Sequence, residues 1–375
     1  MKLGLIVNPI AGMGGKVGLK GTDSVLAEAV AEGAEPVAPR RAVEFLTKLK
    51  MNAVDVKVEV LCCPGIMGEQ EARIAGFAVD VLPMRIGSTT GAKDTKRAVK
   101  LLVEAKAELI VFVGGDGTAK DALDALKSIH ACDGVLVLGV PSGVKMYSGV
   151  FAVSPIDAVE VILAFCRKEA SVAEFEVMDA DEKAIRSDNF SVRLYGYLRG
   201  PFVPLHIQGS KQVTPETIDE RENQEAIAKF VAEELLKDAT VILGPGTTVK
   251  CLADLLGVDK TLLGVDVYHD GKVILDVNEK HILEHVKDWS NTWIVVSPIG
   301  HQGIVFGRGN QQISSEIIKR IGRERILVLA TKGKLRSVEG GVLRVDTGDA
   351  ETDELLKGYG KVVTDYREWR LVQIQ

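Results

Sequence analysis

The chain lacks the marks of several common protein classes. Its 375 residues include five cysteines, Cys62, Cys63, Cys132, Cys166 and Cys251, and no C-x-x-C pair. The adjacent Cys62 and Cys63 fit no zinc-ligand spacing, so neither a zinc module nor a redox dithiol is indicated. A reduced, cytoplasmic setting is the expectation. Histidine is scarce, with six scattered residues and no metal-ligand spacing. Positive charge is not in excess. Lys plus Arg number 46 against 52 Asp plus Glu, a net charge of −6, which gives no whole-chain case for nucleic acid. Long apolar runs are absent too. The first, Leu3 to Val7, is too short for a membrane span or a signal peptide and is broken by Asn8-Pro9. No amphipathic basic stretch suggests a lipid surface, and neither a repeat nor a low-complexity tract is present.

What is present is glycine, 38 residues of it, placed where short apolar runs end. Strands are expected at Leu3–Val7, Val56–Cys62, Leu109–Val113 and Val135–Val140, with helices between them at Arg41–Leu49 and Lys93–Ala105. Short apolar runs alternating with helices predict a parallel sheet covered on both faces. Ligands bind such sheets at the carboxyl ends of the strands. Residues 1–151 therefore read as a nucleotide-binding α/β domain. Residues 152–375 read as a second domain. It has a β-rich start (Glu174–Met178, Asn189–Tyr197), a polar linker near 208–221, a helix over Asn223–Leu236 and an α/β remainder. The length is sufficient for two cores.

The most informative turn follows Leu109–Val113. Gly114-Gly115-Asp116-Gly117-Thr118 leads from this strand into a helix-like stretch, Ala119–Leu126. Strand, glycine turn and helix N-terminus make an anion site, because backbone N–H groups converge there and the helix dipole favours negative charge. Gly114, Gly115, Gly117 and Thr118 are candidate phosphate contacts. Asp116 is the anomaly, since a carboxylate beside a phosphate is repelled unless it has chemical work. Accepting a proton from a hydroxyl nucleophile is such work. Holding Mg²⁺ through water is the competing role, since Mg²⁺ uses few carboxylates.

Two further turns end strands of the same half. Asn8-Pro9-Ile10-Ala11-Gly12-Met13-Gly14-Gly15 follows the first strand and offers Asn8, Gly12 and Gly14, with Lys16 beyond them. Pro141-Ser142-Gly143-Val144-Lys145 follows the fourth and offers Ser142, Gly143 and a cation, Lys145. In the second half, Gly244-Pro245-Gly246-Thr247-Thr248 lies between a strand and a helix. Gly244, Gly246, Thr247 and Thr248 read as another anion site or as a threonine-capped helix start. Gly300 and Gly303, in Ser297-Pro298-Ile299-Gly300-His301-Gln302-Gly303, complete the candidate contacts.

The Gly-Gly-Asp-Gly-Thr turn and the Asn-Pro-x-Ala-Gly turn, both directly after strands and in this order, resemble the NAD kinase/diacylglycerol kinase superfamily. Gly139–Ser148, Ser297–Gly303 and Gly307–Gln312 are similar to its ATP-NAD kinase-like subgroup, which includes the acetoin-cluster X proteins. The resemblance implies an NAD kinase-like two-domain α/β fold, with an N-terminal parallel sheet and a second β-rich or α/β domain. It also implies ATP-dependent phosphorylation of a hydroxyl with Asp116 catalytic, Mg²⁺ assisting and NAD the default acceptor. The expected partners are small molecules in a homo-oligomer, without nucleic acid or membrane. The usual second domain is mainly β, so the α/β pattern after Ala239 is a departure. NAD kinases also carry an Asn-Glu pair that contacts the dinucleotide. Asn278-Glu279 falls in that order, although Asn278 reads more simply as a helix N-cap. Where NAD kinases read Thr-Pro-Thr-Gly-Ser-Thr-Ala-Tyr, this chain has Ser-Pro-Ile-Gly-His-Gln-Gly and loses the hydroxyl-rich half. Another metabolite or a lipid as acceptor, or a nucleotide-binding regulator without turnover, are the alternatives.

Overall fold

The computed structural model describes residues 1–15, 33–87, 89–143, 146–180, 192–204, 206–207, 218–236, 239–300 and 302–375. Lys16, Lys145 and His301 lie outside the described residues, as does 208–217 of the expected linker. The chain divides into two compact units. Met1–Met13 and Glu35–Lys211 belong to the first, and Gln212–Gln375 to the second, with Gly14 and Gly15 counted in the second.

The first unit is built on five parallel strands, β1 (Lys2–Val7), β2 (Glu59–Cys62), β3 (Val79–Val81), β4 (Leu109–Gly114) and β5 (Leu136–Pro141). Their order is β3-β2-β1-β4-β5. All six residues of β4 are buried, as a strand covered on both faces requires. Helices α1 (Ala38–Asn52), α2 (Glu69–Ile74), α3 (Ala92–Glu104), α4 (Asp116–Ser128) and α5 (Pro155–Cys166) connect or flank the strands. In α3 the buried residues Thr95, Ala98, Val99 and Leu102 recur every three to four positions, giving it one apolar stripe. Phe112 and Phe151 meet edge to face at 5.3 Å inside the core.

The first unit continues past residue 151 because of an antiparallel hairpin, β6 (Ser171–Ala180) and β7 (Val192–Phe202). Phe175, Val177 and Leu198 of that hairpin are buried in the same core as the sheet. Lys120 of α4 pairs with Asp179 of β6, and its ammonium lies 4.8 Å from the ring centre of Tyr195 in β7.

The second unit begins with α6 (Ile218–Phe230), so the last residues expected to be linker are helical. Its seven-stranded sheet contains β8 (Thr240–Leu243), β9 (Asp266–His269), β10 (Lys272–Ile274), β11 (Thr292–Val296), β13 (Ile326–Leu329), β15 (Gly358–Asp365) and β16 (Glu368–Ile374). The order is β10-β9-β8-β11-β13-β15-β16, with β12 (Ile304–Phe306) and β14 (Arg344–Val345) pairing separately. The four middle strands are parallel and the edges antiparallel. Helices α7 (Thr247–Leu255), α8 (Glu279–His285), α9 (Ser315–Ile321), α10 (Lys332–Ser337) and α11 (Ala350–Leu356) alternate with them. This unit is α/β, as the rhythm after Ala239 predicts. Among the described residues no helix is long and apolar enough to cross a membrane.

Candidate active site

Strand order reverses between β1 and β4, the position at which open parallel sheets bind ligands beyond the carboxyl ends of their strands. The turns after β1, β4 and β5 all sit there, and the structure brings them into contact. The Asn8 N–H donates to the Val113 carbonyl at 3.0 Å, and Asn8 Nδ2 donates to Thr118 Oγ1 at 2.9 Å. Asn8 thus ties the first turn to the start of α4. Gly12 has φ of 82°. A Cβ built on it would lie 1.9 Å from the Ser142 carbonyl oxygen, so only glycine lets the first turn rest on the third. Gly115 and Gly143 face each other in the same manner, since a Cβ on Gly143 would meet Gly115 Cα at 3.2 Å. The Ser142 N–H donates to the Gly114 carbonyl at 3.1 Å.

Helix α4 starts at Asp116, three residues before the sequence suggests. Its N-cap is Gly115, which offers no side chain to the first-turn N–H groups. The carboxylate of Asp116 therefore sits in the positive first turn of its own helix, which lessens the cost of keeping it charged. Its two oxygens are fixed by backbone donors: Tyr147 N–H to Oδ2 at 2.7 Å and Ser148 N–H to Oδ1 at 3.0 Å. Ser148 is itself held, because its Oγ accepts from the Met178 N–H at 2.9 Å. Burial, and then the Asp116 charge, push the Tyr147 phenol up, so it stays a neutral O–H. Asp116 is half-buried and Gly117 exposed, which opens the carboxylate to solvent. Ser142 is buried, and its hydroxyl has no protein partner.

These features fit a polyphosphate. Gly12, Gly114, Gly115 and Gly143 let the three turns pack against one another without side chains between them, α4 presents an N-terminus without a side-chain cap, and Ser142 holds a buried hydroxyl without a protein partner. Asp116 would be the residue to hold Mg²⁺ through water, since Mg²⁺ uses few carboxylates. Among the described residues no group of three His, Cys, Asp or Glu could hold a metal ion, and Asp116 is the one carboxylate at the turns that the motifs name. A cavity of about 560 Å³ lies at the opposite end of the sheet, lined by Met1, Lys57, Glu108 and Cys166 among others. It is away from the strand ends where the chemistry gathers.

The remaining sequence candidates lie in the second unit. Gly244, Gly246, Thr247 and Thr248 form the turn from β8 into α7. Gly300 and Gly303, with φ of 64° and 67°, form a tight turn that spends its own groups: Gly303 N–H donates to the Gly300 carbonyl and Ile299 N–H to the Ile304 carbonyl. Asn278 caps α8, its Oδ1 accepting from the His281 N–H at 2.8 Å. Sequence reasoning missed Lys334. It donates to Ser297 Oγ at 3.0 Å from a position 37 residues later, and its one sequence signal is the strand–turn–helix pattern around Thr331.

A family model of the ATP-NAD kinase N-terminal domain matches residues 3–170, and one of the ATP-NAD kinase C-terminal domain matches residues 236–374. The chain belongs to the ATP-NAD kinase family. It is a phosphotransferase acting on a hydroxyl group, an ATP-dependent kinase of that family. No curated protein matches the chain. Among solved structures, a transcriptional regulator of the LacI family from Burkhoderia phymatum is similar over 39% of this chain and 66% of that one, at 17% identity and a TM-score of 0.20. So loose a likeness carries nothing further about this ATP-NAD kinase family chain.

Proposed function

We propose that the turns after β1, β4 and β5 bind the phosphates of ATP and that Asp116 is the base for phosphorylation of NAD to NADP. The observation that carries this reading is the convergence of Gly12, Gly114, Gly115, Ser142 and Gly143 around a carboxylate held by two backbone donors. The hydroxyl of the acceptor gives its proton to a carboxylate oxygen of Asp116. Its oxygen then attacks the terminal phosphorus, and the bond to the bridging oxygen breaks to release ADP. Phosphoryl transfer asks chiefly for positioning and charge neutralisation. The backbone donors on Asp116 and the α4 dipole supply the first and part of the second. Asn8 contributes by ordering the turn around Thr118.

A second acceptor reading has an observation in its favour. The Ser297–Gly303 turn lacks the hydroxyls usual in the family, and its Gly303 and Ile299 N–H groups are already spent. Each polar group of a dinucleotide left unpaired costs about 1–3 kcal/mol, and two such losses weaken binding by roughly 10²-fold or more. NAD is then a poor substrate beside another small metabolite with a free hydroxyl. The deciding measurement is ADP release from ATP with NAD and with a panel of hydroxylated metabolites. A kcat/KM for NAD above about 10⁴ M⁻¹s⁻¹, the lower end of ordinary enzyme efficiency, supports NAD kinase proper. Turnover with another metabolite and not NAD supports the second reading. Nucleotide binding without turnover on any acceptor rejects both and leaves a regulator.

A further inference from the structure

The first turn of α7 differs from every side-chain-capped helix start in this unit. Asn278, Ser314, Thr331 and Asp349 each accept an N–H from the first turn of α8, α9, α10 and α11. Helix α7 has Gly246 at its N-cap, no side-chain cap and no acidic residue in its first turn. Its positive end is left for something else. Thr248, the second helical residue, is 1% exposed, yet its hydroxyl has no protein partner. A buried hydroxyl without a partner costs free energy unless a ligand or water meets it.

A cation stands beside this turn. A Cβ built on Gly246 would lie 3.7 Å from Ser297 Cβ, and Ser297 Oγ accepts from Lys334 Nζ at 3.0 Å. The ends of β8, β11 and β13 thus bring together a helix N-terminus, the Ser297 hydroxyl and an ammonium. Glu220 of α6 is the charged group that bears on Lys334, and it is itself bound by the Thr331 hydroxyl. Lys332, on the same helix as Lys334, is already matched by Asp365 and Glu368. A groove of about 550 Å³ opens at Thr247 between α6 and α7, lined also by Gln224, Glu225 and a Lys250 that is paired with Asp254.

We infer that the second unit carries a phosphate site of its own, in which the first-turn N–H groups of α7, the Thr248 hydroxyl and the Lys334 ammonium hold the phosphate group of a small phosphate monoester. The site is built wholly from the second unit and does not depend on the reading of Asp116. Burial pushes the Lys334 ammonium down to about 8, against the pull of Glu220. A dianion beside it restores the charge, so binding is strong while Lys334 is protonated and is lost as pH rises through that value.

The test is calorimetric titration of the full chain with inorganic phosphate and, separately, glycerol phosphate. The variants are Thr248→Val, Lys334→Met and Thr247→Asp, with Lys57→Met, an exposed position of the other unit, as the control. Thr247 is exposed, so its substitution leaves the core intact even if the other two variants fold poorly. The expected result is a loss of at least tenfold in affinity in each of the three variants, and none in Lys57→Met. Affinity should also fall by about tenfold per pH unit above 8. Tighter binding of glycerol phosphate than of free phosphate supports an ester as the ligand, and the reverse overturns that part. Affinity unchanged in Thr247→Asp, affinity flat from pH 7.5 to 9.5, or an equal loss in Lys57→Met overturns the site.

Discussion

The chain contains two strand–glycine–helix turns of the same construction and opposite charge. At β4–α4 the N-cap is Gly115 and the first helical residue is Asp116, whose carboxylate takes up part of the positive helix end. At β8–α7 the N-cap is Gly246 and the first helical residue is Thr247, with no acid in the turn and an ammonium across Ser297. The backbone alone supplies a place for an anion in both. The difference lies in what the side chains add. One turn carries a carboxylate, which in the proposed function is the base. The other has an ammonium nearby, which in the further inference holds a phosphate. The two readings of one glycine construction therefore turn on the residue in the first helical position.

The largest effect should come from removing the distinguishing carboxylate. Asp116→Asn keeps the shape and the two backbone contacts in part, and kcat should fall by about 10²-fold or more, the scale of lost general-base catalysis, with nucleotide affinity retained. Turnover within a few-fold of the parent would show that Asp116 is no base and that the two turns do not differ in kind. Making the second turn resemble the first is the converse experiment. Thr247→Asp puts an acid at the same helical position, and chemical denaturation should show stability unchanged or raised by about 0.3–1 kcal/mol through the helix dipole. A marked destabilisation would mean that the first turn of α7 is not free to take a negative charge.

Lys334 sharpens the contrast through pH. Its value in the folded chain, about 8, lies below the usual 10.5. Between these values the unfolded chain binds more protons, so Lys334 makes stability rise with pH from about 8 to 10.5. The penalty of the buried charge is fully present below 8. Unfolding curves of Lys334→Met should lack that rise. The smallest effect belongs to the capped helices that serve as the baseline. Asn278→Ala should cost about 0.5–2 kcal/mol in thermal or denaturant unfolding and leave kcat and KM unchanged, since its cap is spent on His281. A kinetic defect there would restore the dinucleotide contact that the Asn-Glu order suggests.

Much of this was legible in the residues. Buried parallel strands announce themselves as short apolar runs, and β1, β4 and β5 fall within a residue or two of those runs. The alternation in Glu174–Met178 marks β6 because one face of the hairpin is buried and the other is not. Less visible was the start of α4 at Asp116, because glycine beside aspartate reads as turn rather than as helix. The partners of Asp116 were not legible at all: Tyr147 and Ser148 act through backbone N–H groups, which leave no trace in residue type. Lys334 was equally hidden. Its meaning depends on β11 and β13 lying side by side, a pairing that no local pattern records.

The β6–β7 hairpin has a consequence for how small such a catalytic unit can be. Ser148 holds Asp116 and is held in turn by Met178 of β6, while the neighbouring Gly149 N–H donates to the Glu176 carbonyl at 2.8 Å. Trimming the chain after residue 151 would leave all five strands of the parallel sheet, and every glycine of its turns, in place. It would also remove the abutment against which the carboxylate is braced. A minimal version of this unit is therefore set by the last hydrogen bond in a relay from hairpin to serine to aspartate, and its shortest useful length is that of the hairpin's return strand.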